Sequence, residues 1–141
     1  MSEELDKALE TAIRAKTNAY APYSKFHVGA ALKAGGNLIP GCNVENASYG
    51  AAICAERTAI VSAVAAGHTD FDFIVVATDD DPPAVPCALC LQVMAEFCPP
   101  DFSIHLANRN GIQRSLVLKD LLPEPFVLKD AGREGRVAPP T

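Results

Sequence analysis

Three cysteines at two separate places constrain this chain more than any other feature. Cys54-Ala55-Glu56 comes first, and Pro86-Cys87-Ala88-Leu89-Cys90 follows it further along. If the three thiols hold one metal ion, the fold must bring the two segments together. Three protein ligands on a tetrahedral zinc leave a fourth position for water, which separates catalytic sites from closed structural ones. Cys54 and Cys87 both fall where helical periodicity begins. Two helix N-termini would then supply partial positive charge and free N–H donors to the sulfurs. The same field lowers a thiol's pKa and favours the thiolate that a metal needs.

Glu56 lies two residues past a ligand, near enough to serve the open position without binding the metal. A carboxylate there can accept and pass on a proton of water whose pKa zinc has lowered to about 7. Arg57 is the adjacent cation, well placed to hydrogen-bond the ligand sulfurs and offset their charge. Other readings stay open at this level. Free cysteines are often simply buried. A closed four-cysteine zinc could recruit Cys42 or Cys98. A redox pair at Cys87 and Cys90 would leave Cys54-Ala55-Glu56 unexplained. His27, His68 and His105 fall in no metal motif.

With 141 residues, the chain suits one domain over 1–141, burying about 68–70% of its unfolded surface. A net charge of −5, from 17 acidic and 12 basic residues without a basic run, argues against a nucleic-acid surface. Residues 1–7, MSEELDK, lack a signal peptide's basic start and apolar stretch. The alanine-rich run from Thr58 to Ala66 is too short to span a bilayer. Five cysteines, two in C-x-x-C, fit a reducing compartment better than a disulfide framework. The expectation is a cytoplasmic protein with no membrane and no nucleic-acid partner.

Leu5, Ala8, Leu9, Ala12 and Ile13 recur at helical spacing, so an amphipathic helix is predicted over 3–19, capped by Ser2. Strands are predicted over 26–34 and 38–44, joined by Gly35-Gly36-Asn37. Helices follow over 53–66 and 87–97, with a buried strand over 71–78 between them. Strands at 102–107 and 112–118 precede a turn near Leu121 and a tail over 126–141. The order αββαβαββ plus a C-terminal tail predicts an α/β, three-layer α/β/α sandwich around a mixed five-stranded sheet.

The C-x-E and P-C-x-x-C pair is an established zinc-deaminase pattern, and its surroundings sharpen it. Pro22-Tyr23-Ser24-Lys25-Phe26, Gly41-Cys42-Asn43-Val44-Glu45-Asn46, Cys54-Ala55-Glu56-Arg57-Thr58-Ala59 and Leu121-Leu122-Pro123 resemble the small, homotetrameric-type, zinc-dependent cytidine deaminases. The likeness runs from about residue 5 to 126. It implies hydrolysis of cytidine and deoxycytidine to the uridines with loss of ammonia, using one Zn²⁺ per subunit. It assigns the metal to Cys54, Cys87 and Cys90, and proton transfer to Glu56. It assigns the ribose hydroxyls to Asn43 and Glu45 and the nucleoside pocket to Phe26. Tyr49 and Tyr23 would lie near the sugar across subunit boundaries. Phe126 would stack on the base of a neighbouring subunit, so active sites would be shared in a homotetramer. The backbone near Ala55 and Cys87 would help hold the base edge.

Two positions depart from that family's P-C-G-x-C-R-Q. Ala88 stands where glycine is usual, and Leu91 where an arginine would help offset the thiolates. A remodelled leaving-group side, open to N4-substituted cytidines, is one expectation. Harmless drift is the other. A deaminase of another small aminopyrimidine, such as blasticidin S, fits less well because N-V-E-N is intact. A non-enzymatic zinc-stabilised module would leave Glu56 without a role.

Overall fold

A computed structural model describes residues 2–128. Helix α1 (Glu3–Lys16) is followed by the hairpin β1 (Gly29–Ala34) and β2 (Asn37–Cys42). A 3₁₀ turn at Tyr49–Ala51 leads to α2 (Ala55–Ala65), then β3 (Phe71–Ala77) and α3 (Ala88–Phe97). The hairpin β4 (Ser103–Asn108) and β5 (Gly111–Val117) ends in a one-turn helix, α4 (Leu118–Leu121). The strands order β2-β1-β3-β4-β5. Only β3 and β4 run parallel, because α3 makes the crossover between them. The expected mixed five-stranded sheet is therefore present. The predicted helix over 3–19 stops at Lys16, and that over 87–97 begins one residue later. The tail beyond Leu128 lies outside the described residues.

Each element follows from local chemistry. Ser2 caps α1 by accepting from the Leu5 amide at 3.1 Å, and three acidic residues sit in its positive first turn. Gly35 and Gly36 both take positive φ, 56° and 82°, the two-residue turn that matches strand twist in a hairpin. Asn37 is thus the first residue of β2 rather than part of the turn.

The sheet carries a separate apolar core on each face. Ala8 and Ala12 of α1 pack on Ala31, Phe73, Val75, Ala77 and Ala107. On the other face Ala59, Ile60 and Ala63 of α2, with Leu91 and Met94 of α3, cover Leu32, Ile74, Val76, Ile104 and Leu106. Alternation along β3 divides its side chains between the two cores. Three layers result. The close fit of α2 depends on Gly41. A Cβ there would stand 2.4 Å from the Ala55 carbonyl oxygen and 2.6 Å from the Ala59 amide.

Candidate active site

Helices α2 and α3 begin side by side, and a cysteine caps each. Cys54 and Cys87 hold extended backbone at the N-cap positions and make no side-chain cap bond. A thiol is a weak acceptor, so the first amides of both helices remain available to an anion. Cys90 sits in the first turn of α3 and is buried, whereas Cys54 is half-buried and Cys87 exposed. The thiol sulfurs of Cys54 and Cys87 lie 3.7 Å apart, and those of Cys87 and Cys90 3.5 Å. All three fall within 4.8 Å of one another.

That spacing fits a metal. Tetrahedral bonds of about 2.3 Å from zinc to sulfur would separate two ligands by about 3.8 Å. Cys42 and Cys98 do not join the group among the described residues, so a fourth cysteine ligand is not at hand. Burial pushes the Cys98 thiol up to about 12, which suits a core residue. Cys54 is held at about 5, first by the hydrogen bond from Cys90 and then by Arg57. Cys90, as donor to Cys54, is shifted upward. One thiolate already forms where a cation would bind. Arg57 Nη2 donates to Cys54 Sγ at 3.6 Å, and its buried Nε has no partner among the described residues.

Glu56 occupies the inner side of the α2 start and is only 4% exposed. Desolvation drives its carboxyl up to about 7, and the neighbouring Cys54 adds to the shift. A group that titrates near neutrality can both take and return a proton under ordinary conditions. A cavity of about 430 Å³ opens onto Cys54, Glu56 and Cys87. Its inner wall is apolar, from Val28 and Val76, and its mouth is polar and aromatic, from Glu45 and Tyr49. That size and lining suit one small organic molecule.

The family model for the cytidine and deoxycytidylate deaminase zinc-binding region matches residues 2–106. The chain belongs to the cytidine deaminase family. It is 46% identical over 123 residues to the cytidine deaminase of Halalkalibacterium halodurans, covering 86% of this chain and 93% of that one. It is 47% identical over 130 residues to a probable cytidine deaminase of Dictyostelium discoideum, covering 91% and 87%. The crystal structure of a cytidine deaminase from Burkholderia pseudomallei superposes with a TM-score of 0.82 at 46% identity, covering 89% of this chain and all of that one. The α/β fold and a zinc centre at Cys54, Cys87 and Cys90 agree with membership.

Most of the residues that the cytidine deaminase resemblance singled out meet at the cavity. Phe26, Asn43, Glu45, Tyr49, Ala55, Glu56 and Arg57 all line it. Asn43 also organises its wall: Oδ1 accepts from the Val28 amide at 2.8 Å, and Nδ2 donates to the Phe26 carbonyl at 2.7 Å. Glu45 accepts from the amides of Tyr23 and Ser24 at 3.0 and 3.1 Å and from the Ser24 hydroxyl. The Ser24 hydroxyl is the main reason its carboxyl sits below the usual range.

Phe126 does not line the cavity and is 68% exposed. Leu91 is buried in the core against α2, and neither Leu91 nor Ala88 lines the cavity. The expected change on the leaving-group side therefore gains no support from the lining, where Val85 and Leu89 stand instead.

Ser24, Thr78 and Gln92 have roles that only the folded chain reveals. Ser24 and Gln92 act on residues 21 and 34 positions away, a distance at which local pattern says nothing. Thr78 had a faint signal, a hydroxyl closing the apolar run of β3.

Proposed function

We propose that this protein catalyses the zinc-dependent hydrolysis of cytidine and 2′-deoxycytidine to uridine and 2′-deoxyuridine, releasing ammonia. The observation that carries this reading is a buried carboxyl, Glu56, next to three convergent thiols, on a nucleoside-sized cavity that Cys54 and Cys87 also line. When bound, zinc acts as a Lewis acid and makes water acidic enough to supply a nucleophile near neutral pH. Cys54, Cys87 and Cys90 would hold it. Arg57 disperses charge on the Cys54 sulfur.

The chain's own groups do the rest. Glu45 at the mouth and the buried Asn43 bind the ribose hydroxyls, and Phe26 closes over the sugar and base. Apolar walls at Val28 and Val76 keep bulk water from the ring. Glu56 takes a proton from the attacking water and delivers it to ring nitrogen N3. It later conveys a second proton to the exocyclic nitrogen. The oxygen of water replaces that nitrogen at C4, and ammonia departs. A carboxyl poised near 7 suits both transfers.

The sites are completed between subunits of a homotetramer in this proposal. Support comes from exposed aromatics: Tyr49 on the cavity at 86%, Tyr23 at 57% and, away from the cavity lining, Phe126 at 68%. A place in cytoplasmic pyrimidine salvage accords with five unpaired cysteines. Among the described residues no helix is long and apolar enough to cross a membrane.

The test is Glu56→Gln with zinc quantified on both proteins. The variant should keep its metal while cytidine turnover, followed by ultraviolet absorbance, falls roughly 100- to 10,000-fold. Wild-type protein that holds zinc but leaves cytidine untouched would defeat the reading.

A further inference from the structure

The inner wall of the cavity contains one polar group that the proposed chemistry leaves idle. Thr78 follows β3 directly, and its amide donates to the Ala107 carbonyl at 3.0 Å, extending the parallel ladder by one rung. Side chains along β3 alternate: Phe73, Val75 and Ala77 face α1, while Ile74 and Val76 face α2 and α3. Thr78 continues the second row, towards the metal helices, and lines the cavity beyond Val76. It is 2% exposed, and its hydroxyl has no hydrogen-bond partner among the described residues.

A buried hydroxyl without a partner lowers stability, whereas a methyl in its place would fit the same space. Valine would satisfy the strand and the core equally well, as it does at Val75 and Val76. Two other polar side chains on this cavity are already engaged. Asn43 holds the backbone of 26–28, and Glu45 holds that of Tyr23 and Ser24. Both stand towards the sugar end. Thr78 and Glu56 both line this cavity and both are buried, 2% and 4% exposed, which suits the end where a base would lie.

We propose that the Thr78 hydroxyl is a specificity-determining group that hydrogen-bonds the polar edge of the bound pyrimidine. It rests on the nucleoside-deaminase reading above. The unmet hydrogen bond of the free protein is made when the base enters, so the group favours bases with a polar atom facing β3.

Zinc-loaded wild type, Thr78→Val and Thr78→Ser should be compared in cytidine turnover, uridine inhibition and thermal unfolding. Thr78→Val is expected to unfold at the same or a higher temperature, because it removes an unmet polar group. Its kcat/KM should fall about 3- to 10-fold, the range of one neutral hydrogen bond, and uridine should inhibit more weakly by a similar factor. Thr78→Ser should retain most of both. Wild-type kinetics and inhibition in Thr78→Val would overturn the assignment. So would a kinetic loss matched by a lower unfolding temperature and lost zinc, which marks a structural role. Failure of the wild type itself on cytidine would instead remove the parent reading along with it.

Discussion

Gln92 grips the backbone of Phe126 on both sides. Its Nε2 donates to the Phe126 carbonyl and its Oε1 accepts from the Phe126 amide, each at 3.0 Å. A side-chain amide here imitates a rung of β-ladder and ties the chain past α4 to helix α3. Phe126 is 68% exposed and does not line the cavity. Gln92 therefore fixes where the Phe126 backbone, and with it an exposed ring, sits against α3.

Gln92→Ala removes both bonds and frees the ring. The nucleoside KM should rise roughly 3- to 10-fold, as for the loss of one or two neutral hydrogen bonds, with kcat little changed. Phe126→Ala should raise KM at least as much. The double variant should add little to Phe126→Ala, since both act through one ring. Additive effects would show that Gln92 acts by another route.

Glu45 gives a pH dependence with a definite sign. Its folded pKa is depressed, chiefly by the Ser24 hydroxyl and then by the Ser24 and Tyr23 amides. A depressed carboxyl stays charged through neutrality and loses its charge only as pH falls through the lowered value. Affinity for a sugar diol should hold through mild acid and weaken only below the ordinary carboxylate range. Ser24→Ala removes the largest cause, so the acid rise in KM should begin at higher pH. KM measured between about pH 4 and 7 on both proteins checks this.

Gly41 is the close-packing point that sets α2 against the sheet. Any Cβ at this position meets backbone of the helix, at Ala55 and Ala59, rather than a flexible side-chain end. Gly41→Ala should therefore destabilise the protein by about 1–3 kcal/mol, as overpacking does. Because Ala55 adjoins Cys54 and Glu56, zinc retention and turnover should fall too. Denaturant unfolding alongside metal analysis separates the two effects. A variant with native stability and full zinc would refute the packing argument.

Local pattern made much of this molecule legible. Helical periodicity from Leu5 to Ile13, the glycine pair at 35 and 36, and the apolar run of β3 each specify their element through short-range chemistry. The boundaries moved by a few residues where caps and turns decide them: α1 stops at Lys16, and Asn37 belongs to β2. The one-turn helix Leu118–Leu121 shows in the sequence only as a turn, since four residues carry no periodicity.

The amino-acid sequence alone determined which groups could do chemistry: three thiols, a carboxyl two residues from one of them, and an arginine beside it. Ligand spacing is a property of neighbouring residues, so a linear motif displays it. Tertiary structure decided what those groups experience. Burial of Glu56, the unmet hydroxyl of Thr78, the hold of Ser24 on Glu45 and the exposure of Phe126 depend on distant segments packed together. Desolvation and long-range hydrogen bonds come into being only when the sheet closes between its two helical layers.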